Sequence, residues 1–164
     1  MKDFKSRGFR IAESPTEIKL AYTGYLIFAF VGYVTLIIIS LLRVGPGYQD
    51  IVTHYRGSGT EEAFPRAFGQ MLEEAHFHSF IEGVTLLVLT HLFIATSVKR
   101  SVKTGTILLA YSATLTDLAC PWLIRYVSSG FALLQIVSWV VMGATALALI
   151  GIPFYEMWLM KGDQ

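Results

Sequence analysis

With 164 residues, 54% of them hydrophobic and only 15% charged, the chain is too apolar for an ordinary soluble domain, and its mean hydropathy of +0.54 makes lipid the expected solvent. A formal net charge of +1 implies neither a nucleic-acid nor a strongly acidic partner. The single cysteine, Cys120, excludes an internal disulfide framework and a cysteine-based zinc site, and no Cys-x-x-Cys-His run is present for covalent haem attachment.

Residues 1–19 are polar, and the apolar run after them is too long for the core of a removable signal peptide, so the first helix is expected to be retained. A spanning helix needs about 20 mostly apolar residues. Four segments qualify: 20–42, 71–98, 104–124 and 131–158. Lipid offers no partner for backbone N–H and C=O groups, which selects helices over open strands. The expected fold is therefore an all-α, four-transmembrane-helix bundle over residues 20–160.

Lys and Arg counts set the expected orientation. The tail carries Lys2, Lys5, Arg7, Arg10 and Lys19, and the second loop Lys99, Arg100 and Lys103, so both go to the cytoplasmic side. In the loop 43–70, Arg43, Arg56 and Arg66 are offset by Asp50, Glu61 and Glu62, so it goes outside. Lys161 then returns inside, giving both termini in. Tyr22, Tyr25, Phe154, Tyr155 and Trp158 suit the inner interface, and Trp122 and Tyr126 the outer one. Tyr33 and Tyr111, like Tyr22 and Tyr25, read as packing residues.

Gly45-Pro46-Gly47 should stop the first span, Tyr48–Arg56 is a candidate interfacial helix, and Gly57-Ser58-Gly59 reads as a turn. Ala144, Ala148 and Gly151 are spaced for close helix–helix approach in the fourth span.

The second span concentrates the ionisable groups: Glu73, Glu74, His76, His78, Glu82 and His91. Such groups inside a membrane are costly and mark a site by default. Glu74, His78 and Glu82 recur every four residues and form one stripe. Glu82 lies about 6 Å deeper than His78 at 1.5 Å per residue. Asp117 of the third span is expected at a similar depth, so both carboxylates should meet the histidines in the outer leaflet, with Asp117 paired to Arg125 or to a histidine. Trp139 needs a partner for its indole N–H, with core packing preferred over contact with a pigment or quinone ring.

Three site chemistries are open. Histidines at two depths suit b-type haem iron, with His76, His78 and His91 as ligands; His54 would fold back toward His76 or His78, and His91 would need a ligand from another chain or a second copy. Glu82, His78 and Asp117 suit proton handling at a quinol site. Glu74, His76, His78 and Glu82 suit a metal without haem, although Glu73 and His76 give only one Glu-x-x-His pair. The plain structural alternative makes His76 and His78 interfacial caps and lets His91 bond to Ser112 or Thr145.

The runs Tyr55-Arg56-Gly57-Ser58, Leu72-Glu73-Glu74-Ala75-His76-Phe77-His78 and Thr90-His91-Leu92-Phe93 resemble a group of small four-helix bacterial membrane proteins that accompany multihaem cytochromes and respiratory complexes. The resemblance covers about a third of the chain. It implies a haem b or quinone role, with His76, His78 and His91 at the matched positions. The combined expectation is a membrane subunit of an electron-transfer complex. It would pass electrons between the quinone pool and an outer-face partner, such as a multihaem cytochrome c, with Glu82 and Asp117 handling protons and Glu74 orienting His78. A homo-oligomer is compatible with this. The alternative is a non-catalytic accessory or anchor subunit of a larger membrane complex.

Overall fold

The computed structural model describes residues 10–59 and 64–160. Lys2, Lys5, Arg7, Glu61, Glu62 and Lys161, used above to orient the chain, lie outside the described residues. The elements are an N-terminal 3-10 turn (Ile11–Glu13) and five helices: α1 (Thr16–Arg43), α2 (Tyr48–Arg56), α3 (Phe68–Ile94), α4 (Arg100–Tyr126) and α5 (Phe131–Trp158). Among the described residues α1, α3, α4 and α5 are each long and apolar enough to cross a bilayer. The fold is thus the expected all-α bundle of four spans, with α2 as a short fifth helix.

The pair α4–α5 packs most extensively. Small side chains let the two backbones approach: Ala110 and Ala113 on α4, Ala132 and Ala146 on α5, all buried. The row proposed for this purpose from sequence does not serve it, because Ala144 and Gly151 are exposed. A spacing of three and four residues defines a stripe but not which way the stripe faces.

Two apolar clusters divide the bundle. One joins Leu26 and Ala29 of α1 to Leu89 and Phe93 of α3 and Leu149 and Met157 of α5, with Ile11 of the N-terminal turn fully buried among them. Tyr22, Tyr25, Tyr33 and Tyr111 pack against it. The other joins Ile51 and Tyr55 of α2 to Cys120, Ile124 and Ala132 at the opposite end.

At the first end, the apolar run of α3 continues to Val98, yet the helix stops at Ile94. Thr96 Oγ1 turns back to the Phe93 carbonyl at 2.7 Å. The Ser97 N–H donates to both carboxylate oxygens of Glu156, at 2.8 and 2.7 Å, and the Ser97 hydroxyl donates to Oε1 at 2.7 Å. Lys103 Nζ donates to the Ile94 and Thr96 carbonyls, which a helix C-terminus otherwise leaves without partners. The Ile11 N–H donates to the Ala95 carbonyl at 3.0 Å, tying in residues read from sequence as a tail.

At the other end the chain turns sharply into α2. Gly45 takes φ +89°, a left-handed conformation that favours glycine. The Gly47 N–H donates to Asp50 Oδ2 at 3.0 Å, capping α2 from its own first turn. Arg56 Nη1 then donates to the Ile124 carbonyl at the end of α4, at 3.1 Å.

Candidate functional site

A groove of about 780 Å³ runs between α1 and α3. Tyr25 bridges the two helices at one end, donating its hydroxyl to the Thr85 carbonyl at 2.9 Å. Phe28 and Phe77, 80% and 61% exposed, line its open side. Among this apolar lining stand Tyr33, His78 and Glu82. Glu82 is only 7% exposed. Counting from Phe68 it is residue 15 of the 27 in α3, at the helix midpoint. Glu82 Oε1 meets His78 Nδ1 at 3.1 Å, and Oε2 is buried with no hydrogen-bond partner.

A smaller cavity of about 150 Å³ lies beside the groove, beneath α2. Asp117 opens onto it, and α5 holds that carboxylate: Gln135 Nε2 and Trp139 Nε1 both donate to Oδ1, the latter at 2.7 Å. Gln135 is 2% exposed, and its Oε1 has no partner. Pro121 lines the same cavity one helical turn after Asp117. Lacking an N–H, it deprives the Asp117 backbone carbonyl of its helical bond.

Toward the α2 end, Arg66 pairs with Glu74, and the Arg66 N–H donates to the Tyr55 carbonyl at 3.2 Å. His54 and Tyr55 of α2 face the cavity from above. Burial and the Arg66 guanidinium lower the His54 pKa below 6.5, opposed by Glu74 and a bond to the Arg43 backbone. Burial, with the Asp117 and Glu74 charges, pushes the Tyr55 phenol upward.

The structure thus collects some of the predicted residues and separates others. His78 and Glu82 meet, and His54, His78, Glu74 and Asp117 share one cavity. Glu74 does not orient His78; it is engaged by Arg66, and Glu82 takes the orienting role. Asp117 pairs with Gln135 and Trp139, not with Arg125 or a histidine. Arg125 lies over the Tyr126 ring instead, 5.4 Å from its centroid.

His76 and His91 are exposed and line neither space. They sit about 160° and 220° around the α3 axis from His78, on its other side. His91 Nδ1 meets the Leu87 carbonyl of its own helix at 3.0 Å, not Ser112 or Thr145. Among the described residues no three His, Cys, Asp or Glu side chains gather as a metal-binding group.

Gln135 was missed from sequence. A lone amide in the apolar run of α5, four positions from Trp139, was the available signal, since polar groups within a span mark a site.

A family model described as a transmembrane helical domain matches residues 45–164, and the chain belongs to that family. The match takes in α2 to α5 and leaves α1 outside it. No curated protein and no solved structure matches the chain. With four membrane-length helices and this family, the chain is a multi-pass membrane protein in contact with lipid.

Proposed function

We propose that this chain is the quinone-interacting membrane subunit of an electron-transfer complex. It binds quinol or quinone in the α1–α3 groove and works with a redox partner on the face that carries α2, which we take as the outer face of a bacterial cytoplasmic membrane. The observation that carries this reading is the His78–Glu82 pair, a half-exposed imidazole bonded to a buried carboxylate, on the wall of a groove of about 780 Å³. A quinone combines a polar ring with an isoprenoid tail. The apolar lining suits the tail, and Tyr33, His78 and Glu82 suit the ring oxygens as donor or acceptor.

Oxidation of a quinol breaks two O–H bonds and releases two electrons. The His78–Glu82 pair supplies a hydrogen-bonded base that takes the two protons one after the other, passing on the first before the second arrives, and the two electrons go to a metal centre of the partner, of the multihaem cytochrome class. Haem b inside this chain fits the donor set poorly. His54 and His78 share a cavity of about 150 Å³, room for a few waters rather than a porphyrin. The outward-facing His76 and His91 suit haem iron only with ligands from another chain or a second copy.

Binding of a short-tail benzoquinone to the purified protein in lipid nanodiscs tests this. We expect saturable binding, weakened at least ten-fold in His78→Ala and in Glu82→Gln. Binding that both variants leave intact would remove the groove from the function.

A second reading, a non-catalytic accessory subunit, draws on the exposed imidazoles of His76 and His91 on a membrane-length helix, where a subunit contact would satisfy them. A reduced-minus-oxidised spectrum of wild type beside His76→Ala and His91→Ala separates these cases. A b-type band lost in the variants supports shared haem ligation. A colourless protein without quinone binding supports the accessory role.

A further inference from the structure

Building on the quinone reading, we propose that the cavity beneath α2 is a hydrated proton chamber serving the groove, with Asp117 as the group that receives the proton and the Arg66–Glu74 pair as its seal. The two spaces adjoin. Leu36, Ile39, Arg43, Arg66, Glu74 and His78 line both. A proton delivered to the His78–Glu82 pair from the groove side therefore sits on the partition between them.

Buried polar atoms in this region lack the donors they require. Gln135 Oε1 and Glu82 Oε2 are acceptors on side chains 2% and 7% exposed, and neither has a protein partner. Pro121 leaves the Asp117 carbonyl without its helical donor as well. Buried acceptors are almost always satisfied in folded proteins. A cavity of about 150 Å³ lined by His78, Asp117 and Gln135 has the size to hold a few waters. Such waters supply the donor for Gln135 Oε1 and, through His78, which lines both spaces and bonds Glu82, the connection from Glu82 to Asp117.

The geometry at Asp117 gives the chamber a direction. Gln135 and Trp139 both engage Oδ1. This leaves Oδ2 as the atom that takes a proton. The charged and titratable groups around it come from every neighbouring element. Arg43 of α1, His54 of α2, Arg66 of the loop before α3 and Glu74 of α3 line the same cavity, and Tyr55 of α2, His78 and Glu82 of α3 and Cys120 of its own helix lie within electrostatic reach. Of the carboxylates in this set, Glu74 is the most exposed, with 43% of its side chain accessible. The route runs from a quinol hydroxyl to Glu82 or His78, through water to Asp117 Oδ2, and out past Glu74. One O–H bond breaks and one forms at each transfer; the electrons leave separately to the partner's metal centre.

Infrared spectra of the protein in nanodiscs, saturated with a short-tail benzoquinol and recorded before and directly after oxidation by ferricyanide in place of the partner's metal centre, test this. We expect a protonated-carboxyl band to appear in the oxidised-minus-quinol difference and to be absent in Asp117→Asn. In Gln135→Leu, which keeps Asp117 but removes the water-seeking amide, the band should persist at a shifted frequency. A band that survives Asp117→Asn, or one that Gln135→Leu leaves unmoved, overturns the proposal. So does a loss of quinol binding in Asp117→Asn, which would make Asp117 a ligand contact. Failure of the wild type to bind quinol at all instead sinks the quinone reading on which the chamber rests.

Discussion

Glu156 and Glu82 are both buried carboxylates on membrane-length helices, 4% and 7% exposed, yet their surroundings differ in kind. Glu156 closes one end of the bundle with both oxygens engaged by Ser97. Glu82 has one oxygen on His78 and the other on nothing. The contrast extends to the neighbours. Around Glu156, backbone groups that a helix end would orphan are met by Lys103 and by the N-terminal turn, and Ser14 Oγ is the buried atom left over. Toward α2, Glu82 Oε2, Gln135 Oε1, Arg66 Nε and Arg125 Nε are all left over. Among the described residues, four of the five buried side-chain atoms without a partner thus lie away from Glu156, on the side of the molecule where the quinone reading places its ligand.

Substituting each end in turn is the sharpest way to break this comparison. Glu156→Leu should cost about 3 kcal/mol, because it strands the Ser97 donors. Its thermal unfolding midpoint in detergent should fall well below wild type, and an unchanged midpoint would dissolve the distinction between the ends. Gly45→Ala comes next, at about 2 kcal/mol of local cost. Its Cβ would sit 2.6 Å from Asp50 Cβ at a φ of +89°. Hydrogen exchange should accelerate in α2 and leave α4 and α5 at wild-type rates.

Glu82→Leu should move the opposite way from Glu156→Leu. Removing a half-satisfied buried carboxylate is worth about 1 kcal/mol of added stability, so the melting midpoint should rise while quinone binding falls. Equal destabilisation by the two leucine variants would show that both glutamates are structural.

The smallest effect is on pH. The folded-state pKa of His54 lies below its ordinary 6.5, so the unfolded chain binds the proton more readily and stability rises with pH. The full contribution is present above about 6.5 and drains away as pH falls through the folded-state value. Protection of α2 amides should therefore decline in mild acid in wild type and not in His54→Gln.

The spans were legible because a run of about 20 apolar residues has few other uses. Entry into α2 was legible in Gly45-Pro46-Gly47. The partners of the polar groups were not. Periodicity placed His78 and Glu82 on one stripe of α3, but it carries no information about which helix that stripe faces. The Asp117 partners come from α5, and only the packing of α4 on α5 brings Gln135 and Trp139 to it. The end of α3 was hidden for a related reason. Thr96 and Ser97 sit in an apolar run that reads as helix until Glu156, about 60 positions away, supplies a competing acceptor. The helices follow from local composition, whereas the candidate site depends on contacts between segments distant in sequence.

The first half of α1 is fastened to the bundle by Leu26, Ala29, the Tyr25–Thr85 bond and the Trp158–Thr23 bond. No residue of α1 beyond Ala29 is buried. Beyond that point α1 still supplies Leu36, Ile39 and Arg43 to both the groove and the cavity, so the wall common to the two spaces is a stretch of helix that core packing does not anchor.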